Sequence, residues 1–245
     1  MIRAALLALV AWATSAAAHS CEDITFDGTS YSICSVDLST DTLRLFLYND
    51  AGDPYGQFGA VDRALQQTGQ QLGFAMNAGM YHDDRAPVGL YIEDGTEVMR
   101  VIPNAGPGNF GLLPNGILCL RPGRADVIET LRYVDTAPGC VSATQSGPML
   151  VIDGALHPRF LVDSTSRYIR NGVGTSADGK TAVFAISNTP VTFHAFGRFY
   201  RDHLKLPNAL FFDGNISRLY APALNRSDIG FALGPIIGTV EPLAE

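Results

Sequence analysis

The apolar residues of this chain fall into short runs, each closed by a polar or glycine-containing turn. That spacing predicts strands, since a half-buried strand needs only a few residues and ends where the chain reverses. Residues 43–48 form one such run, followed by Asn49-Asp50-Ala51-Gly52. Four hairpins are predicted: 88–92 with 98–102, 110–113 with 117–120, 149–152 with 155–157, and 172–176 with 181–186. Three of their loops carry Asp-Gly, at Asp94-Gly95, Asp153-Gly154 and Asp178-Gly179, which tolerates the positive φ of a tight turn. Two segments break the pattern. Residues 61–72 set Ala64, Leu65 and Leu72 among polar positions and predict a helix, with a strand at 74–76. Residues 191–206 place Phe193, Phe196, Phe199, Tyr200 and Leu204 near helical spacing. Pro207 ends this amphipathic helix, and 209–212 is the next strand. The fold class read from this pattern is α+β: a largely antiparallel mixed sheet with a few packed helices, in a single domain. A helix–strand–glycine order recurs at 62–79 and 196–214, as α+β units do without duplication.

The first residues change the picture of where the chain works. Met1-Ile2-Arg3, an apolar stretch and Ala16-Ala17-Ala18 have the layout of a secretory signal peptide over residues 1–18. The apolar part is too short for a transmembrane span, and His19 before Cys21 suits a lipid-attachment site poorly. The expectation is an exported chain, periplasmic or secreted, without stable membrane insertion, whose domain is residues 19–245. Loss of Arg3 from the 17 basic residues leaves 16 against 24 acidic ones. That acidic balance argues against a general nucleic-acid partner. Cys21, Cys34, Cys119 and Cys140 allow two disulfides in three connectivities. The pairing Cys21–Cys34 with Cys119–Cys140 closes the shortest loops. A zinc site is disfavoured by the lack of close Cys pairs. No cofactor is expected, since the phosphate-loop, dinucleotide, zinc-protease and C-x-x-C motifs do not occur.

Four polar motifs end apolar runs: Met76-Asn77-Ala78-Gly79-Met80-Tyr81, Gln145-Ser146-Gly147-Pro148, Arg170-Asn171-Gly172-Val173-Gly174 and Phe212-Asp213-Gly214-Asn215-Ile216-Ser217. They point to one composite pocket built on strand ends. Asp213 is a carboxylate at a strand end, suited to acid–base or nucleophilic work, and an Asp before Gly also simply caps turns. Glu93 is the candidate second carboxylate, or a solvated loop residue. Arg170 can clamp a phosphate or carboxylate, and is preferred to Arg167, which would point to the other face of an extended strand. Asn77 and Ser217 offer hydrogen bonds to hydroxyls, while Gly147 and Gly214 let the backbone approach a ligand. Ser146 lacks the surroundings of a nucleophile elbow and reads as a hydrogen-bonding pocket residue. His82 and His194 are further contacts, and His194 is also an acid–base candidate. His82, Asp83 and Asp84 together open a metal reading, though contiguous spacing is weak for one.

Taken in order, the four motifs resemble the phosphodiester glycosidase family, whose members include the catalytic domain of the mannose-6-phosphate uncovering enzyme. The matching stretches are Asn77-Ala78-Gly79-Met80, Ser146-Gly147-Pro148-Met149, Arg170-Asn171-Gly172 through Asp178-Gly179-Lys180, and Phe212-Asp213-Gly214-Asn215-Ile216-Ser217. Two departures stand out: Asn215-Ile216 replaces a pair of glycines, and Ala78 replaces another. The resemblance implies hydrolysis of a sugar-1-phosphodiester to a free sugar and a phosphomonoester. It implies Asp213 and Glu93 as the acid–base pair, Arg170 on phosphate, and Asn77 and Ser217 as polar contacts. A non-catalytic envelope module that binds a glycan or phosphopolymer is the alternative.

Overall fold

The computed structural model describes residues 20–213 and 216–243. The predicted signal peptide, Gly214 and Asn215 lie outside the described residues. The chain opens with β1 (Ser20–Phe26), β2 (Thr29–Asp37) and β3 (Thr42–Phe46), then α1 (Phe58–Gln66) and β4 (Gln70–Asn77). It continues through β5 (Tyr91–Glu93), β6 (Thr96–Met99), β7 (Gly116–Arg121), β8 (Arg124–Glu129), α2 (Thr130–Thr136), β9 (Ser142–Ser146), β10 (Met149–Ile152) and β11 (Ala155–Leu156). The last third holds β12 (Asn171–Thr175), β13 (Thr181–Ser187), α3 (Phe193–Arg198), β14 (Asn208–Asp213), β15 (Leu219–Ala221), β16 (Arg226–Ser227) and β17 (Ile236–Pro242).

The strands form three sheets, ordered β1-β2-β13-β12-β14-β10-β11, β16-β15-β4-β17-β3 and β6-β5-β9-β7-β8. Every described pairing is antiparallel. Their inner faces meet in a common core that includes Phe74 and Met76 of β4, Leu118 of β7, Val173 of β12, Phe184 of β13 and Leu210 of β14. Helix α1 lays Phe58, Val61 and Leu65, spaced for one helical face, on the outer side of the second sheet. Helix α3 covers the first sheet. Thr192 Oγ1 caps it by accepting from Ala195 N–H at 3.1 Å, and a wider turn over Phe199–His203 continues it, with Leu204 N–H donating to Phe199 O at 3.0 Å. Phe196, Phe199 and Tyr200 are buried there, and Phe199 stacks on Tyr31 of β2 at 3.9 Å. Each such ring removed from water contributes roughly 1.5–3 kcal/mol.

Three predicted hairpins form. Asp94-Gly95 and Asp153-Gly154 adopt left-handed φ at both positions, 48° with 83° and 48° with 82°. Residues 172–176 and 181–186 pair through β12 and β13. The hairpin predicted for 110–113 with 117–120 does not form. β7 pairs instead with β8 and β9, and residues 110–115 make a buried crossing in which Asn115 Nδ2 donates to Phe110 O at 2.8 Å. Helix α1 also starts and stops earlier than predicted. Gly69, at φ 73°, reverses the chain and frees Leu72 for β4. The disulfides are Cys21–Cys34, which staples directly opposed residues of β1 and β2, and Cys119–Cys140. Among the described residues no helix is long and apolar enough to cross a membrane.

Candidate functional site

The four motifs end strands in all three sheets, and hydrogen bonds tie the sheets pairwise at those ends. Asn77 closes β4 and Asn171 opens β12. Their side-chain amides pair reciprocally, Asn171 Nδ2 to Asn77 Oδ1 at 3.0 Å and Asn77 Nδ2 to Asn171 Oδ1 at 3.3 Å. Ser146, the last residue of β9, donates from Oγ to Phe212 O of β14 at 2.9 Å. Thr144 Oγ1 of β9 donates to Ala78 O at 2.6 Å. Asn171 is the hub. Its Oδ1 also accepts from Asp213 N–H at 3.2 Å, and its Nδ2 reaches Asn77 O at 3.0 Å. The remaining bond to Asn77 Oδ1 comes from Arg218 N–H at 2.9 Å. Asn77, Ser146 and Asn171 are wholly buried, so their polar atoms fix strand ends beneath the surface.

The register of β14 serves the same end. Asn171 faces Asp213 while Gly172 faces Phe211, so Phe212 is an extra residue on β14. Such a bulge turns the strand and re-aims the residues beyond it. Gly172 is required at the crossing, since a Cβ there would stand 2.3 Å from Leu210 O. Ser217 Oγ completes the turn by bonding to Asp213 O, with Ile169 O at 3.1 Å as a further acceptor. Gly147 packs against Asn115, and a Cβ there would lie 2.6 Å from the Asn115 Cβ.

Above this layer is a cleft of about 680 Å³. Asp213, Arg170, His82, Asp83, Arg85 and Tyr81 are among its polar lining, and Tyr168, Phe193, Met80 and Ile216 are among its apolar and aromatic walls. Arg170 precedes β12 and is 1% exposed. Its Nε donates to Val191 O at 2.9 Å and Nη2 to Ser166 O at 3.3 Å. The guanidinium lies on the face of Phe193 at 3.6 Å, with the rings of Tyr168 and Phe211 at 5.4 Å. Among the described residues Nη1 is buried without an acceptor and no carboxylate pairs with this arginine. Burial pushes its pKa down to about 10, which still leaves it charged at neutral pH. Arg167, by contrast, is exposed.

The structure therefore brings Asp213, Arg170 and His82 to one cleft and sets Asn77, Ser146 and Ser217 into the layer that holds it. It does not bring Glu93 there. Glu93 ends β5, accepts a 2.7 Å hydrogen bond from Tyr91 Oη, and has its pKa raised by burial despite that bond. His194 sits half-buried in the first turn of α3 and does not line the cleft. His82, Asp83 and Asp84 do not converge, and no metal-binding cluster occurs among the described residues. Two residues of the site carry no sign of it in the sequence. Asn171 stands inside the third motif, but an Asn before Gly reads as a turn residue. Arg218 is a buried cation whose Nη1 donates to Gln57 Oε1 at 3.0 Å and Nη2 to Phe231 O at 2.6 Å. No local pattern marks either one.

The family model for phosphodiester glycosidases matches residues 70–231, a span holding every strand end described above. The chain belongs to the phosphodiester glycosidase family. Its relatives include the uncharacterized protein YigE of Escherichia coli strain K12, 32% identical over 186 residues, covering 76% of this chain and 72% of that protein. Among solved structures it resembles the zebrafish N-acetylglucosamine-1-phosphodiester alpha-N-acetylglucosaminidase catalytic domain auto-inhibited by its pro-peptide. The TM-score is 0.60 at 13% identity, covering 92% of this chain and 84% of that one. A hypothetical protein from Synechocystis follows at 0.58 and 12%, covering 90% and 61%. A putative exported protein of Burkholderia pseudomallei K96243 follows at 0.54 and 11%, covering 86% and 74%. At these identities the three structures share the fold.

Proposed function

We propose that this member of the phosphodiester glycosidase family is an exported hydrolase that cleaves the glycosidic bond of a sugar-1-phosphodiester. The observation that carries the reading is Arg170. A buried guanidinium on a cleft-lining residue, with an unpaired Nη1 and no carboxylate partner among the described residues, fits an anion supplied by a ligand, and its planar fork suits phosphate. The zebrafish relative is named for an N-acetylglucosamine-1-phosphodiester, which agrees with that chemistry. The two disulfides support an oxidising compartment.

In the reaction, the bond between the anomeric carbon and the bridging oxygen breaks, and its electron pair stays on the phosphate. Water supplies the hydroxyl to the sugar. Asp213 receives the water proton or attacks the anomeric carbon first. The departing group is a phosphomonoester, whose second pKa lies near ~6. It leaves as an anion stabilised by Arg170, so the protonating carboxyl that an alcohol leaving group requires is dispensable. One carboxylate and one guanidinium then suffice, which accommodates the placement of Glu93 outside the cleft.

The test is incubation of the purified chain, disulfides intact, with a panel of sugar-1-phosphodiesters and quantification of both products. Equal release of free sugar and phosphomonoester is expected. Intact diester throughout would overturn the proposal. Diester binding without turnover would favour the non-catalytic binding module instead. Export is tested separately by cell fractionation, with an exported product beginning at His19 expected.

A further inference from the structure

Residues 81–87 form a hairpin that walls the cleft and has no part in the chemistry above. Tyr81 bridges to Pro87, His82 N–H donates to Ala86 O at 2.9 Å, and Arg85 N–H donates back to His82 O at 2.8 Å. The turn places Arg85 at φ 75°, a left-handed position where a residue other than glycine costs about 1 kcal/mol. What the arginine gains is direction. Its guanidinium lies over the Tyr81 ring at 5.3 Å. Tyr81 is itself fixed, by a hydrogen bond from its Oη to Ala232 O at 3.2 Å and by close packing on Gly234. Both Arg85 and Tyr81 line the cleft. Among the described residues no carboxylate pairs with Arg85, although Asp83 and Asp84 share its turn; Asp84 Oδ1 accepts from Ala86 N–H at 3.0 Å.

The cleft thus holds two arginines, each laid on an aromatic ring and each without an ion-pair partner among the described residues. A phosphodiester carries one negative charge, which Arg170 matches. We propose that Arg85 selects substrates bearing a second anionic group, a phosphate or a carboxylate, on the group esterified to the sugar's phosphate. This rests on the phosphodiester reading and goes beyond it by naming a charge on the substrate that the cleaved bond does not require. A guanidinium held on a ring loses little freedom on binding an oxyanion, and a charge-assisted contact of this kind is worth roughly tenfold or more in affinity.

The experiment compares three synthetic sugar-1-phosphodiesters that share one sugar: a neutral alkyl diester, one whose alkyl group ends in a phosphomonoester, and one ending in a carboxylate. The wild-type chain is expected to show a KM about tenfold lower for at least one charged diester than for the neutral one, with the gap shrinking as salt is added. The two charged arms tell phosphate from carboxylate. Arg85→Gln is expected to raise that KM to the neutral diester's value, and Arg85→Lys to restore part of the gap. Equal KM values for all three diesters in the wild type would overturn the proposal while leaving the hydrolase reading standing. An equal loss on neutral and charged diesters in Arg85→Gln would also overturn it, since Arg85 would then serve the reacting phosphate. Absence of turnover on all three would instead remove the hydrolase reading on which the inference rests.

Discussion

Asn171 and Arg170 are neighbours in the chain and both are buried, yet their polar atoms meet different fates. The Asn171 amide is met on every side, by Asn77, by Asp213 N–H and by Ser217. Arg170 has two backbone carbonyls for its five donors, aromatic rings for walls, and a buried Nη1 with no acceptor among the described residues. The first arrangement is what a structural layer requires, since an unmet buried polar group costs about 1–3 kcal/mol. The second retains an unmet, buried donor on a residue that lines the cleft. The amide layer is complete within the protein, and the arginine beside it is not.

That contrast can be broken by mutation. Asp213→Asn keeps the backbone N–H that Asn171 holds and removes the carboxylate. It is expected to lower kcat on a sugar-1-phosphodiester by on the order of a thousandfold, with the melting temperature little changed. Arg170→Met should lower kcat/KM by about a hundredfold. Because it removes an unpaired buried charge, its stability should stay within about 1 kcal/mol of wild type in denaturant unfolding. Arg170→Lys should not rescue activity, because an ammonium lacks the planar fork and the ring stacking.

Asn171→Ala should behave in the opposite way. It leaves Asn77 and Asp213 N–H without their partner, so a loss of about 2 kcal/mol in stability is expected, with a smaller fall in activity. A double-mutant cycle with Asn77→Ala should show coupling between the two amides. Simple additivity would break the idea of a shared layer.

Glu93→Gln is the smallest expected effect and sharpens the boundary of the site. Burial raises the Glu93 pKa above its ordinary value of 4.5. A carboxyl raised by folding contributes stability that is present below its unfolded pKa and is lost as pH rises through the folded value. The wild type should therefore lose stability relative to Glu93→Gln as pH climbs from about 4, while hydrolysis stays within about twofold of wild type. A large loss of kcat in this variant would return Glu93 to the chemistry.

Much of the scaffold is legible from short-range pattern. The Asp-Gly hairpins at 94–95 and 153–154 form because two left-handed residues match the twist of the strands they join. The same signal at Asp27-Gly28, φ 47° and 73°, joins β1 to β2 in a further hairpin. The 117–120 strand takes partners other than the neighbouring run its local pattern predicts. Pairing there is settled by the Pro122-Gly123 turn and by β9, which lies more than 20 residues on in the chain.

The sequence by itself determined the strand-rich α+β class and the polar motifs at strand ends, because each comes from local turn chemistry and side-chain type. It also favoured the two disulfides that form, through short loop closure. Only the tertiary structure decided which polar residues face the cleft and which lie beneath it. Asn77 and Ser146 look like ligand contacts in one dimension, and Asn171 like a turn residue. They become structural because three sheets converge at their strand ends, and burial there requires each polar atom to find a partner within the protein. Glu93 left the site for a related reason: β5 belongs to the third sheet, and its end is held by Tyr91 rather than turned toward Asp213.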